Sequence, residues 1–385
     1  MPAPPKLPAA VLPGAVRSRF VDGVNGLCMH LLEAGFDPPG RPRLLLLHGF
    51  PELAFSWRHV MPALAEAGFH VLAPDLRGYG RTTGWDAAYD ADIAPFRIPN
   101  LVRDVFGLLL RLGHERVDAV IGHDFGSPLA AWCALLRPDV FPAAVLMSAP
   151  FAGAAQPAET APPATDIHAA LAALPRPRKH YQWYYSTEAA NAEMWHPPEG
   201  VEKFLRAYFH MKSADWRLPD GTPANRPHRL AGWIADALAE MPTYYIMDAA
   251  RGMAETVAPH MASAEHEAAC RWLSPRDLKI YAEEYGRTGF QGGLHWYRCQ
   301  TSGQFAAEMS LFHGRAIEVP ALFIAGEADW GIFQFPGALE AMQEKAFARM
   351  QAVHIVPGAG HWVQQEQPEA VVRLLLGFLG GVRSP

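Results

Sequence analysis

Three segments of this 385-residue chain place a carboxylate or an imidazole shortly after an apolar run. Asp124 is the centre of GHDFG, Asp329 ends GEAD and His361 ends PGAGH. In GHDFG, small residues two positions before and after the centre let a strand turn sharply into a helix, with the central side chain exposed in a strained conformation. A turn with a helix-capping aspartate is the alternative, but the strand-like run before it and the helical spacing after it favour a nucleophile.

The aspartate at the centre of GHDFG determines which bonds such a site could break. A serine attacking a saturated carbon would leave an ether that no mild step could hydrolyse, whereas a carboxylate would leave an ester that water can cleave. Asp124 therefore indicates cleavage of carbon–oxygen or carbon–halogen bonds at saturated carbon. His361 would activate the water, and Asp329 would hold the imidazole in the required tautomer.

A second carboxylate competes with Asp329 for the role of the acid. Glu327 stands two residues earlier in the same loop, and we favour Asp329 over it. No carboxylate stands in Ser148-Ala149-Pro150, the other strand end where an acid could be placed. The acid is therefore expected in the GEAD loop.

Main-chain groups near Asp124 could stabilise an oxyanion. The N–H of Phe50, in the segment HGFP, and the N–H of Phe125 are the two expected donors. HGFP also fits an ordinary β-turn, and both interpretations can hold together. We expect His48 and His123 to orient these loops by hydrogen bonding rather than to take part in the chemistry.

Strands of one sheet would bring these distant segments together. Apolar runs alternate with helical spacing along residues 16–150, which is typical of a mainly parallel sheet with right-handed crossovers. Because the carboxyl ends of parallel strands lie at one edge, the three loops would meet there. The predicted strands are 44–47, 70–73, 117–121, 145–147, 319–325 and 352–356, and the predicted core helices are 56–68, 99–112, 127–136 and 369–379.

The middle of the chain has a different pattern. Residues 152–177 are rich in Ala and Pro, and residues 178–300 have helical segments and many aromatic residues but no clear buried strand. This pattern predicts an α/β core interrupted by a helical insertion. The expected parts are an N-terminal extension (1–15), the first part of the core (16–150), a helical cap (151–310) and the second part of the core (311–385).

The composition excludes several classes of function. Lys and Arg number 33 against 39 Asp and Glu, and no basic block occurs, so nucleic acid is not an expected partner. No run of about 18 apolar residues predicts a membrane span, and the proline-rich N-terminus lacks a secretory signal. Four cysteines without a CxxC pair favour a reducing compartment. We expect a cytoplasmic monomer or homodimer, and the absence of a ligand motif such as HExxH predicts neither metal nor organic cofactor.

Taken together, the motifs resemble a known family. Five segments are similar to those of the epoxide hydrolase branch of the α/β-hydrolases: HGFP (48–51), PDLRGYG (74–80), GHDFG (122–126), GEAD (326–329) and GAGHW (358–362). The resemblance implies an α/β-hydrolase fold, with a mainly parallel sheet flanked by helices and an inserted helical cap. It also implies hydrolysis of a small apolar epoxide to a vicinal diol without a cofactor.

Two segments of the predicted cap carry the resemblance further. HYQWY (180–184) and GLHWYR (293–298) are similar to cap motifs that each supply one tyrosine to the epoxide oxygen, which implies this role for Tyr181 and Tyr297. Tyr184 and Tyr185 are expected to pack within the cap. Four tryptophans beside the motifs are expected to line an apolar substrate pocket: Trp183, Trp296, Trp330 and Trp362.

Two other functions remain as alternatives. Haloalkane and haloacid dehalogenases share the core motifs, but Phe125 stands where the family often has a Trp whose N–H binds halide, and Phe cannot donate that bond. A non-catalytic binding module is the third hypothesis, which the complete set of Asp124, Asp329 and His361 argues against. The predicted cap also looks long for the family, and residues 218–226 match none of its motifs.

Overall fold

An eight-stranded sheet forms the centre of the protein. The computed structural model describes residues 4–157 and 166–383, so residues 1–3 of the predicted N-terminal extension and residues 158–165 of the Ala- and Pro-rich segment lie outside the described residues. In chain order the strands are β1 (Val16–Val24), β2 (Leu27–Ala34), β3 (Arg43–Leu47), β4 (His70–Pro74), β5 (Ala119–His123), β6 (Ala144–Met147), β7 (Arg178–His180), β8 (Ile246–Asp248), β9 (Ala321–Gly326) and β10 (Met350–Val356).

Six neighbouring strands form the parallel part of the sheet. The sheet order is β1-β2-β4-β3-β5-β6-β9-β10, and the pairs from β4 to β10 are all parallel. This arrangement confirms the prediction of a mainly parallel sheet. β1 and β2 were not predicted, and both pair antiparallel at one edge. Every residue of β6 and of β9 is buried, as expected for strands covered on both faces.

Helices cover the sheet and fill the segment between β6 and β9. α2 packs on β1, and α3 packs on β5 and β6. None of the helices formed by the described residues is both long and apolar enough to span a bilayer. In chain order the α-helices are α1 (Met61–Glu66), α2 (Ile98–Arg111), α3 (Gly126–Leu136), α4 (Ile167–Ala172), α5 (Tyr181–Tyr185), α6 (Ala189–Trp195), α7 (Val201–Lys212), α8 (Ala235–Leu238), α9 (Met253–Val257), α10 (Ala264–Ala269), α11 (Pro275–Thr288), α12 (Gln291–Thr301), α13 (Ala306–Ser310), α14 (Ala338–Ala341), α15 (Val363–Glu366) and α16 (Pro368–Arg383).

The segment between β6 and β9 is helical apart from one short strand pair. β7 and β8 are antiparallel, with Lys179 opposite Met247, so a short strand pair lies in the segment 178–300, where the sequence showed no clear buried strand. Each strand has three residues, which is too short for an alternating pattern to be recognised in a sequence. The pair matters for the site because Tyr181, the first residue of α5, directly follows β7 and donates its N–H to Tyr245.

A buried carboxylate explains the PDLRGYG segment after β4. Asp75 accepts hydrogen bonds from the N–H groups of Ala54 (2.8 Å) and Arg81 (2.9 Å), and its Oδ2 lies 2.7 Å from Nδ1 of His30. Burial alone would raise the pKa of Asp75, but the charge and hydrogen bond of His30, with the Arg81 N–H, lower it to about 2. Asp75 therefore holds the HGFP side of the sheet edge in place.

Replacing Asp75 with Asn should remove a pH-dependent part of the stability. A depressed carboxyl pKa stabilises the fold above the unfolded value near 3.9, and this contribution is lost as the pH falls toward 2. The shift corresponds to about 3 kcal/mol, at about 1.4 kcal/mol per pKa unit. Urea unfolding at pH 7, 4 and 3 should show a difference between parent and Asp75→Asn that shrinks as the pH falls. A difference independent of pH would contradict this account.

Candidate active site

The turn between β5 and α3 holds Asp124 in a strained backbone conformation. Asp124 has a φ of +51°, in the left-handed region that non-glycine residues seldom adopt. The glycines on either side permit this turn, because a Cβ on Gly122 would lie 1.8 Å from the carbonyl oxygen of Gly126. A Cβ on Gly126 would in turn lie 2.1 Å from the carbonyl oxygen of Leu47. The two small residues of GHDFG are therefore required by close backbone approach.

Each carboxylate oxygen of Asp124 has a different partner. Oδ1 accepts a hydrogen bond from the N–H of Phe50 at 2.9 Å, and Oδ2 lies 3.3 Å from Nε2 of His361. Burial would raise the pKa of Asp124, but the hydrogen bond and charge of His361, followed by the charge of Lys212, hold it well below its usual value. Asp124 is thus an ionised carboxylate with one oxygen anchored and the other facing the imidazole. The N–H of Phe125, the other predicted donor, follows it at the start of α3.

His361 lies between two carboxylates. Its Nδ1 is 3.0 Å from Oδ1 of Asp329, which also accepts the N–H of Gly331 at 2.7 Å. Burial opposes the charge of Asp329, but the charge and hydrogen bond of His361 lower the pKa of this carboxyl below its usual value. Glu327 is exposed, whereas Asp329 is 1% exposed. The carboxylate beside the imidazole is therefore Asp329, the residue favoured from the sequence.

A hydroxyl that was not predicted from the sequence also belongs to this group. Ser148 directly follows β6, has a φ of +70° and places its Oγ 2.8 Å from Nδ1 of His361. Its hydrogen bond also helps to lower the pKa of Asp329. The position could have been found, because the carboxyl end of a parallel strand points to the same sheet edge as those of β5 and β9.

His123, the residue before the nucleophile, carries a positive charge. Its Nδ1 lies 2.5 Å from Oε2 of Glu52, and its Nε2 lies 2.7 Å from the carbonyl oxygen of His361. Both partners can only accept, so both ring nitrogens must donate, and the ring is an imidazolium. Burial lowers the pKa of His123, but the charge and hydrogen bond of Glu52 raise it above its usual value. This arrangement agrees with the expectation that His123 orients the loops.

A buried ammonium group lies close to the same carboxylates. Lys212, the last residue of α7, is 3% exposed, and no hydrogen bond or ion pair to its Nζ occurs among the described residues. Four rings surround it with their centroids 5.0–5.8 Å from Nζ: Tyr208, Tyr244, Tyr245 and Trp362. Burial lowers the pKa of Lys212, while the charges of Asp124 and Asp329 oppose this shift. The sequence analysis did not identify this residue.

The two predicted tyrosines have ring centroids 5.9 Å apart, and their hydroxyls differ in their hydrogen bonding. The hydroxyl of Tyr181 donates to Oε1 of Gln334 at 2.8 Å and accepts from Gln182 at 3.2 Å. The hydroxyl of Tyr297 has no hydrogen-bond partner among the described residues, and its ring packs 4.5 Å from that of Phe125. Burial raises the pKa of both phenols well above 10, and the charge of Asp124 adds to this shift. Both therefore remain protonated donors.

A contact between two glycines places the helix that carries Tyr297. A Cβ on Gly292 of α12 would lie 2.0 Å from the carbonyl oxygen of Gly78, in the PDLRGYG segment of the core. Four residues later, the indole Nε1 of Trp296 donates to the carbonyl oxygen of Arg77 at 2.9 Å. The start of α12 is thus in close backbone contact with the loop after β4.

The four predicted pocket tryptophans occupy different places. The ring of Trp296 is 5.5 Å from that of Phe125, and the ring of Trp362 is 4.6 Å from that of His361. Trp330 directly follows Asp329, and its ring packs on His228. The ring contacts of Trp183 are with His168 and His180, so they do not support its predicted place in the pocket. The rings around Tyr297 are instead Phe50, Phe125, Tyr181 and Tyr185.

The geometry fits nucleophilic catalysis by a carboxylate with a histidine base. Asp124 and His361 are in contact, and Asp329 orients the imidazole from its other side. Among the residues that the structure describes, no three His, Cys, Asp or Glu side chains form a group that could hold a metal ion.

Comparison with known proteins gives a consistent result. The family model described as "alpha/beta hydrolase fold" matches residues 42–368. "Epoxide hydrolase A" of Mycobacterium tuberculosis is 35% identical over 374 residues, covering 96% of this chain and 99% of the relative. "Epoxide hydrolase B" of the same organism is 33% identical over 358 residues, covering 90% of this chain and 94% of the relative.

Solved structures agree with the sequence relatives. An "Epoxide hydrolase from an endophytic Streptomyces" is similar with a TM-score of 0.76 and 32% identity, covering 96% of this chain and 97% of the other. "Epoxide Hydrolase A from Mycobacterium thermoresistibile" has a TM-score of 0.73 and 32% identity, covering 96% of this chain and all of the other (100%).

Proposed function

Since this chain belongs to the α/β-hydrolase fold family and, within it, to the epoxide hydrolases, we propose that it opens small apolar epoxides through an ester on Asp124. The single observation that supports this mechanism is the ionised, buried carboxylate held between the N–H of Phe50 and Nε2 of His361. A carboxylate so placed can attack a saturated carbon and still be released by water.

The first step forms the ester. Oδ1 of Asp124 is anchored by Phe50, so Oδ2 is the oxygen that attacks the epoxide carbon. The carbon–oxygen bond of the ring breaks, and its electron pair moves to the ring oxygen, which takes a proton from Tyr297 or Tyr181. A positioned acid of this kind contributes about 100- to 10,000-fold to the rate. Tyr297 is the favoured donor because its hydroxyl has no other partner among the described residues.

The second step cleaves the ester. His361 removes a proton from water through Nε2 while Asp329 stabilises the resulting imidazolium, and the water oxygen attacks the ester carbonyl carbon. Negative charge develops on Oδ1, which the N–H groups of Phe50 and Phe125 stabilise, at about 3 kcal/mol per donor. Oδ2 leaves with the diol and takes the proton from His361. The proton left on the new carboxyl group then returns to the phenolate formed in the first step and restores the phenol.

Heavy-oxygen water tests the mechanism directly. In a single turnover, the diol receives Oδ2 of Asp124, and the isotope enters the enzyme in its place. Mass spectrometry of the peptide that contains Asp124 should therefore show the heavier oxygen after one turnover of styrene oxide. Turnover that labels only the diol would exclude the ester.

Aromatic rings support the assignment of apolar substrates. Phe50, Phe125 and Tyr185 each pack within 5.4 Å of the Tyr297 ring, measured between centroids. Such walls favour epoxides with aryl or alkyl substituents over charged ones. We also propose a reducing, cytoplasmic compartment, because all four cysteines are unpaired.

Replacing Tyr297 with Phe should separate epoxide hydrolysis from dehalogenation. We expect a loss of roughly 100-fold in kcat/KM for styrene oxide, because the alkoxide loses its best donor. Tyr181→Phe should lose less, since Gln334 already holds that hydroxyl. Tyr184→Phe is the matched control, because its hydroxyl bonds Glu193 at 2.5 Å. Halide release from a haloalkane, unaffected by Tyr297→Phe, would instead support the dehalogenase alternative.

A further inference from the structure

The end of α7 is in direct backbone contact with the loop that carries His361. The N–H of His361 donates to the carbonyl oxygen of Lys212 at 2.9 Å. The preceding residue, Gly360, lies so close that a Cβ there would be 2.5 Å from the nitrogen of Ala214 and the carbonyl carbon of Ser213. The imidazole is therefore held from the inserted helical segment as well as from the core sheet.

One carboxylate ties these two segments together. Oε2 of Glu366 accepts the N–H of Gly360 at 2.8 Å and the N–H of Ala214 at 2.9 Å. Oε1 accepts the N–H of Trp362 at 3.0 Å. Glu366 thus binds the residues on both sides of His361 and, at the same time, Ala214, two residues after the end of α7. We call this arrangement, Lys212, Ala214, Gly360, Trp362 and Glu366, the His361 latch.

A buried amide supports the α7 side of the latch. Nδ2 of Asn225 donates to the carbonyl oxygens of Met211 (2.9 Å) and Ser213 (3.1 Å), on either side of Lys212. Its Oδ1 accepts the hydroxyl of Tyr244 at 2.7 Å. Carbonyl groups in the last turn of a helix lack intrahelical partners, and Asn225 supplies donors for two carbonyls at this end. The stretch 218–226, which matched no family motif, therefore contains the residue that fixes the end of α7.

The three hydrogen bonds of Glu366 reach the chain neighbours of His361 and the segment after α7, but not Asp124 or the phenols. Ring opening uses Asp124 and a phenol, and the hydrogen bonds of Glu366 go to neither. Cleavage of the ester depends on the position of His361, whose two chain neighbours are both bound by Glu366. A histidine base that shifts by about 1 Å can lose about 100-fold in rate.

We propose that Glu366 is a positioning residue for ester hydrolysis: through the His361 latch it fixes the imidazole against the end of α7. The inference rests on the proposed function, since it assigns Glu366 to its second step. It explains why a carboxylate is placed where all of its hydrogen-bond partners are backbone N–H groups. Burial raises the pKa of Glu366 to about 8, against the three N–H groups that lower it, and above this pKa the carboxylate accepts all three bonds without offering a donor.

The test separates the two steps in Glu366→Gln. Glutamine keeps the shape, but its NH2 group must face an N–H, so at least one of the three bonds is lost. Rapid mixing with styrene oxide, followed by acid quench, gives the ester by intact mass and the diol by chromatography. We expect ester formation within about 2-fold of the parent and ester hydrolysis slower by roughly 10- to 100-fold, so that the ester accumulates. Glu369→Gln, an exposed glutamate at the start of α16, should change neither rate.

A second variant keeps the proposal testable if Glu366→Gln does not fold. Asn225→Asp preserves size but cannot donate to Met211 or Ser213, so it should also slow ester hydrolysis selectively. Thermal unfolding is measured in parallel for all variants. An equal loss in both steps, or reduced stability with unchanged rates, would overturn the proposal. Failure of the parent itself to form an ester would instead refute the proposed function.

Discussion

Asp124→Asn should form neither ester nor diol, with turnover of styrene oxide reduced by at least about 10,000-fold. The amide oxygen is a poor nucleophile because its lone pair is delocalised, so no covalent intermediate can form. The fold should survive, since Asn tolerates the positive φ observed at this position as well as Asp does. Because the partners of Asp124 hold its pKa below the usual value, the ionised carboxylate stabilises the fold, and the free energy of unfolding at pH 7 should fall in this variant as in Asp75→Asn.

The measurement is the mass of the intact protein together with diol formation over long incubation. Asp329→Asn is the informative comparison, because it leaves the nucleophile in place and affects only the orientation of His361. That variant should still be alkylated by substrate. Alkylation of Asp124→Asn at the same rate as the parent would show that another side chain is the nucleophile.

His361→Gln should stop the reaction at the ester. Ring opening does not require the imidazole to exchange a proton, so the enzyme should be alkylated once. Hydrolysis loses its base, and we expect it to slow by at least about 1,000-fold. The protein mass should therefore increase by that of one substrate molecule. Epoxide consumption should show a burst of no more than one equivalent per enzyme, with almost no steady diol production.

His354→Gln is the matched control, because this partly exposed histidine lies on β10, just before the same loop. It should show no burst and normal turnover. Steady diol formation by His361→Gln would mean that another group activates water. The absence of any ester in that variant would remove Asp124 from the mechanism.

The sheet and the enzyme class could both be predicted from the sequence. The comparisons confirm the α/β-hydrolase fold and the epoxide hydrolase family. The parallel strands were predictable because each is a continuous apolar run that ends in a turn, as at 44–47 before HGFP. The helix predicted over 56–68 is instead a short 3₁₀ turn at Ala54–Trp57 followed by α1 at Met61–Glu66, with a proline in its first turn.

The site was predictable only where a residue's position in a motif implies its place in space. Asp124, Asp329 and His361 each follow a strand, and the structure brings them together, although their roles stay predictions. Glu52, Lys212 and Glu366 follow no such rule, because each has a partner far along the chain: His123 at 71 residues, the ring of Trp362 at 150 and Ala214 at 152. Such groups become visible only when packing is known. The domain boundaries likewise remain predictions.

The contact between Gly78 and Gly292 has a consequence for the geometry of the proposed reaction. It joins α12 to the loop after β4, so the helix that carries Tyr297 is held against the core. Tyr181 begins a different helix, whose first N–H is bonded to Tyr245 rather than to the core. A displacement of α5 alone would break the hydrogen bond between Tyr181 and Gln334 and carry that phenol away, while the contact of α12 with Gly78 would hold Tyr297 in place. The two phenols would thus be positioned independently, Tyr297 by the contact of α12 with the loop after β4 and Tyr181 by α5 and Gln334.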